Sequence, residues 1–228
     1  MQGRLYHVRM SIPDFPRENA NLSLPGPVGE LELSVEWPDE PAHAGAFTAI
    51  ICHPLPTEGG TMHNKVVVMT ARSLRELGAV TVRFNFRGTG GSAGHFDQGV
   101  GESADLQAVV DWVRSHQPGP IWLAGFSFGA YVALRSCQAI QPDAMISIAP
   151  PVGRWDFDAI ALPTCPWLVI QGEQDEIVDP QAVYRWIDAL EDPPELIRMS
   201  DTSHFFHRKL MDLRGAIKHA MKAFVPAA

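Results

Sequence analysis

Cysteine is scarce in this chain: 228 residues carry three, Cys52, Cys137 and Cys165, odd in number and widely spaced. Such a set excludes a disulfide framework, offers no CxxC pair for zinc or redox chemistry, and fits reduced thiols in a cytoplasmic protein. Long apolar runs are missing too. The longest, AFTAIIC and PIWLAGF, fall far short of the roughly 20 residues a membrane-spanning helix needs. The opening MQGRLYHVRMSIPDFPRENANL carries charges but no apolar stretch of a signal peptide. Positive charge is in deficit, with 18 Lys and Arg against 26 Asp and Glu, a net charge of −8. Nucleic acid and anionic membrane both reward clustered Lys and Arg, so neither is expected as a partner. The 46% hydrophobic content belongs to an ordinary globular chain with a sizeable core. The length suits one domain over residues 1–228.

Residues 1–30, rich in Pro, Asn and Ser, read as an irregular or weakly paired lead-in. LELSVEW then alternates apolar and polar residues as a half-buried strand should, until Pro38 ends it. AFTAIIC is apolar throughout, the mark of a strand covered on both faces. NKVVVMTARSLRELG follows with Val67, Ala71 and Leu74 at helical spacing and a closing glycine. AVTVRFNF predicts a strand and ESADLQAVVDWVRSH a helix with Leu106, Val109, Val110 and Val113 on one stripe. The second half repeats this rhythm. PIWLAGF, AMISIAP, PWLVIQG and ELIRM are strands; SFGAYVALRSCQAI, PQAVYRWIDALE and FHRKLMDLRGAIKHAMKAF are helices, the last with Leu210, Leu213, Ile217 and Phe224 inward. Strands alternating with helices predict an α/β fold: a mostly parallel sheet, helices on both faces and an antiparallel edge near the N-terminus. Chemistry in such folds gathers at the carboxyl ends of the strands.

GFSFGAY places Ser127 at G-x-S-x-G spacing, between a strand and a helix. Small flanking residues permit the sharp turn that lifts a serine Oγ clear of a sheet. A serine hydroxyl also needs a base, and the base needs a carboxylate to hold it. The next strand ends deliver both, in the order acid then histidine: EQDEIVDP after PWLVIQG, and SDTSHFFH after ELIRM. In the first slot Asp175 is favoured. Asp179 precedes Pro180 and reads as a helix N-cap, while Glu173 and Glu176 read as solvated. In the second, His204 lies in the loop, whereas His207 already begins the predicted final helix.

Acyl transfer also needs donors for an oxyanion. The N–H of Phe128, at the helix N-terminus, is one candidate. HPLPTEGGTMHNK offers the other: Pro54 and Pro56 lack an N–H, which leaves Leu55 between them. His53 is read as a brace of this loop through its ring nitrogens.

Taken together, GFSFGAY, HPLPTEGGTMHNKVV, RFNFRGTGGSAG, GEQDEIVD and SHFF resemble the α/β-hydrolase superfamily over about residues 46–215. More narrowly, they resemble small lidless bacterial serine hydrolases related to dienelactone hydrolases and short-chain esterases. The resemblance implies a Ser127–His204–Asp175 triad, with the Leu55 and Phe128 amides as oxyanion hole. Two departures stand out. His-Pro replaces the His-Gly of many relatives, and Ser stands where dienelactone hydrolases proper carry Cys, so their substrate does not transfer.

The connection PVGRWDFDAIALPTC is too short for a cap domain. An open site follows, in which Trp155 and Phe157, with Phe128 and Phe205, are candidates to line an acyl pocket. GTGGSA satisfies a dinucleotide pattern, yet GHFDQGVG after it opens no helix to hold a pyrophosphate. Arg87 beside it is read as a loop-bracing cation. The His pairs lack an H-E-x-x-H or CxxC context, so no metal and no cofactor are expected. The expected activity is hydrolysis of short-chain carboxylic esters, small molecules, through an acyl-enzyme. The same triad would serve a thioesterase or peptidase, and a silent binding module on this fold is the non-enzymatic alternative.

Overall fold

Apolar runs of five or six residues can be strands only if both faces are covered, and this is how the chain folds. The computed structural model describes residues 12–39 and 45–227. Five strands are buried along their whole length: β3 (Phe47–Cys52), β4 (Ala79–Phe84), β5 (Ile121–Phe126), β6 (Ala144–Ile148) and β7 (Trp167–Gly172). They lie parallel, with β8 (Glu195–Met199) continuing beyond β7. β2 (Gly29–Glu36) and β1 (Ala20–Gly26) form an antiparallel edge on β4, so the order is β1-β2-β4-β3-β5-β6-β7-β8. The chain runs from β3 outward to β4 and then back to β5 on the other side. The loops after β3 and β5 therefore meet at a topological switch point, where crevices form in open α/β sheets.

Alternating side chains split the core into two layers. Ala49, Ile51, Trp122, Ala124, Ile146 and Ile170 face α1 (Lys65–Arg75) and α5 (Leu210–Met221). Ile50, Cys52, Leu123, Met145 and Val169 face α2 (Val100–His116), α3 (Phe128–Ile140) and α4 (Pro180–Asp188). The predicted helical stripes fall inward, with Val67, Ala71 and Leu74 of α1 and Leu106, Val109 and Val113 of α2 all buried. No helix among the described residues is long and apolar enough to cross a membrane.

Three expectations need correction. Of the lead-in, residues 1–11 lie outside the described residues, but residues 20–26 are the regular strand β1, paired to β2 from Ala20↔Val35 to Gly26↔Gly29. Its signal was the Leu22–Leu24 alternation; polar composition hid it because an edge strand needs only one covered face. The final helix starts at Leu210 rather than near Phe206, since Phe206 and Arg208 hold φ of 53° and 58°, outside helical space. His207 thus sits in an exposed turn ahead of α5. Phe224, expected inward, is exposed in the short 3₁₀ turn after that helix.

The Gly-rich loop after β4 is fastened to the sheet edge. Glu32 accepts from the Gly91 N–H and from Asn85, whose Oδ1 accepts from the Met62 N–H. These donors, the Gly91 N–H foremost, hold the Glu32 carboxyl below its ordinary range. Arg87 forms a bidentate pair with the fully buried Asp105, which also accepts from the Arg87 N–H. Removing one partner of such a pair strands the other charge. Asp105→Ala is expected to lower unfolding free energy by about 3–5 kcal/mol in urea titrations, with recovery when Arg87→Met is added. An unchanged urea midpoint in the single variant would contradict this.

Candidate active site

The turn between β5 and α3 is built by backbone contact. A Cβ on Gly125 would collide with the Gly129 carbonyl, and one on Gly129 with the Cys52 and His53 carbonyls at the end of β3. Both glycines of G-x-S-x-G are therefore sites of close approach, which presses strand, helix and the neighbouring strand end together. Between them Ser127 is held at φ 52°, ψ −120°, a strained conformation for a non-glycine residue. Its N–H donates to the Ile148 carbonyl at 2.8 Å.

The loops after β7 and β8 bring two further side chains to this point. His204 Nε2 lies 3.1 Å from Ser127 Oγ, and His204 Nδ1 lies 2.7 Å from Asp175 Oδ2. With its Nδ1–H donated to the carboxylate, the ring presents Nε2 as acceptor to the serine hydroxyl. Ser127, His204 and Asp175 are all buried. The ring of His204 packs on Phe126, with centroids 5.1 Å apart. Burial alone would push the Asp175 carboxyl up. The hydrogen bond and charge of His204, with the Val178 and Ile177 N–H groups donating to Oδ1 at 2.7 and 2.9 Å, outweigh it and hold the group below its ordinary value. A serine hydroxyl facing an imidazole that a carboxylate orients can deliver its oxygen to an electrophilic carbon.

The rivals fall elsewhere. Asp179 caps α4 by accepting from the Gln181 N–H, as its position before Pro180 suggested. Glu173 and His207 are both exposed. Glu176 is exposed, as read from the sequence, and its carboxylate also accepts a hydrogen bond from the His204 backbone N–H at 3.1 Å. Gln171 was missed altogether. Its Nε2 donates at 3.0 Å to Asp175 Oδ2, the same oxygen that meets His204 Nδ1. The available signal was an amide side chain closing the apolar, fully buried strand WLVIQG.

Ser127 and His204 open onto a cleft of about 700 Å³. Leu55 and Phe128 border it, and among the described residues neither N–H donates to a backbone acceptor. Leu55 leads a 3₁₀ turn (Pro56–Glu58) in which its carbonyl accepts from the Glu58 and Gly60 N–H groups. Trp155 lines the cleft and stacks on Tyr131, with centroids 5.1 Å apart. Phe205 lines it too and is half exposed. Phe157 does not. At 4% exposure it is packed between Tyr131 and Trp186, because the connection after β6 turns back at Val152–Trp155 and drives it under α4. That connection, from Ala149 to Pro166, contains no helix and caps nothing.

The family model described as "Alpha/beta hydrolase family" matches residues 49–214. A protein of Rickettsia prowazekii (strain Madrid E), RP471, described as uncharacterized, is 33% identical over 204 residues, 84% of either chain. Among solved structures, XC6422 from Xanthomonas campestris, "a member of a/b serine hydrolase without lid", aligns with a TM-score of 0.91 at 61% identity. The alignment covers 95% of this chain and 99% of that one. An alpha-beta serine hydrolase homologue from Coxiella burnetii aligns with a TM-score of 0.86 at 44% identity, over 90% and 99% of the two chains.

His53 completes the surroundings. The Phe86 N–H donates to its Nε2 at 3.0 Å, so Nε2 is unprotonated and Nδ1–H donates to the Pro54 carbonyl at 2.7 Å. Burial lowers its pKa from 6.5 to about 4, against the opposing pull of that carbonyl. The unfolded chain takes up this proton first as pH falls, so the stability involved is full above about pH 6.5 and lost toward pH 4. The loss is on the order of 3 kcal/mol. Imidazole NMR should therefore show His53 neutral, with the proton on Nδ1, at pH 6; a titration midpoint near 6.5 would overturn the assignment.

Proposed function

The chain belongs to the alpha/beta hydrolase family, and from that premise we propose that it is a serine hydrolase of carboxylic esters that works through an acyl-enzyme. The observation that carries this reading is the unbroken hydrogen-bonded chain from Ser127 Oγ through His204 to Asp175, at 3.1 and 2.7 Å. Ser127 Oγ attacks the ester carbonyl while its proton passes to His204 Nε2. The lowered pKa of Asp175 keeps its carboxylate charged at neutral pH, where it offsets the imidazolium that forms. Negative charge developing on the carbonyl oxygen is met by the Phe128 N–H, at the positive end of α3, and by the Leu55 N–H. Collapse of the tetrahedral intermediate expels the alcohol, which takes the proton from Nε2. Water then gives a proton to the same nitrogen and attacks the acyl carbonyl; collapse breaks the bond to Ser127 Oγ, which takes that proton back as the acid leaves.

The uncapped cleft suits small or flexible acyl groups. Trp155, Phe205, Leu55 and Ile177 supply its apolar surface, and Phe157 takes no part. We place the enzyme in the cytoplasm, a reading supported by its three free thiols.

Hydrolysis of p-nitrophenyl acetate and butyrate tests the proposal. Ser127→Ala should lower kcat at least about 10³-fold, and Asp175→Asn by about 10³–10⁴-fold, with KM little changed. Equal rates for wild type and Ser127→Ala would sink it. A faster kcat/KM on acyl thioesters or amides of matched acyl length would move the substrate class while leaving the machinery in place.

A further inference from the structure

Four consecutive residues after β7 bond to the end of β8 and the loop beyond it that carries His204. The Glu173 N–H donates to the Met199 carbonyl at 2.9 Å and the Gln174 N–H to the Thr202 carbonyl at 3.0 Å. Gln174 Nε2 donates to Asp201 Oδ1 at 3.1 Å. Asp175 Oδ2 then takes the His204 ring, and Glu176 Oε2 takes the His204 backbone N–H. Gly172 makes the start of this seam possible, because a Cβ there would strike the Thr202 carbonyl. Adjacent carboxylates thus hold one histidine twice, by its ring and by its main chain.

The histidine loop needs such ties. Asp201, Phe206 and Arg208 are non-glycine residues at φ of 51°, 53° and 58°. Three left-handed L-residues within eight positions do not persist without support from neighbouring structure. Phe206 anchors the far side by filling the core. On the near side the last tie before the imidazole is Glu176. It is exposed and borders the cleft, so it has no packing role to lose.

We propose that Glu176 is a positioning residue: its carboxylate fixes the His204 main chain, and thereby the reach of Nε2 to Ser127 Oγ. The inference rests on the reading of His204 as the base for Ser127. A hydrogen-bond acceptor at this point sets where the His204 Cα lies. Without it the loop relaxes, and the Nε2–Oγ approach loosens while Asp175 still grips the ring. Small displacements of a reacting pair are costly in rate and cheap in binding. Glutamine retains an acceptor oxygen at the same reach, whereas alanine does not.

The test compares wild type, Glu176→Gln and Glu176→Ala, with Ser127→Ala as control. It follows the rate of serine labelling by a fluorophosphonate probe, kcat and KM for p-nitrophenyl acetate, and the thermal midpoint. Glu176→Ala should label and turn over about tenfold more slowly, with KM within about twofold of wild type and an unchanged midpoint, whereas Glu176→Gln should recover to within about threefold. Three outcomes overturn the proposal: wild-type rates in Glu176→Ala, equal losses in both variants, or a loss that tracks a fall in thermal midpoint. Labelling of Ser127→Ala at the wild-type rate would strike instead at the assignment of Ser127, so the two failures are distinguishable.

Discussion

The backbone-to-backbone contact at Gly125 and Gly129 is the constraint on which the rest of the site depends. β5, α3 and the end of β3 meet with no room for a Cβ at either position. The meeting forces Ser127 into its left-handed φ and presents its hydroxyl at the carboxyl edge of the sheet. The same contact brings the loop after β3 alongside, so Leu55 and Phe128 border one cleft although they are 73 positions apart in the chain. Strain at one residue is tolerable because three buried elements surround it.

Around that turn most buried polar groups are paired, although Gln171 Oε1 and Thr89 Oγ1 find no partner among the described residues. His53 uses both ring nitrogens to join the loop after β3 to the loop after β4. Arg87 and Asp105 join that second loop to α2, and Glu102 closes the start of α2 by accepting from the Asp97 and Gly99 N–H groups. Asp175 spends both oxygens on four donors. In a low-dielectric setting each such group must be paired or it destabilises the fold. The polar framework therefore gives the loops defined positions above strands that are mostly apolar and buried.

Much of this was legible in the residues. Short, largely apolar, β-branched runs bounded by turn signals read as doubly covered strands, which is why β3 through β7 fall where AFTAIIC, AVTVRFNF, PIWLAGF, AMISIAP and PWLVIQG predicted. Asp-Pro named its own cap, and the prolines around Leu55 left one amide to consider. What escaped had weak local signals. β1 is polar and Pro-containing, and it exists because β2 offers an edge. α5 begins late because Phe206 is drawn into the core, a demand the helical periodicity of the segment does not reveal. Phe157 and Trp155 are two positions apart and equally aromatic, yet one is core and the other borders the cleft.

By itself the sequence determined the fold class, the order of its elements from β2 onward and the residue types that arrive at each strand end, because periodicity and turn chemistry are local properties. Only the tertiary structure decided that a second carboxylate meets His204 through its backbone. Asp175 and Glu176 are neighbours with the same charge; the sequence favoured Asp175 for the ring, but nothing local pointed to the backbone contact of Glu176. That contact comes from two loops, after β7 and β8, laid side by side by parallel strand pairing. Their register sets the ring of His204 against one residue and its N–H against the next.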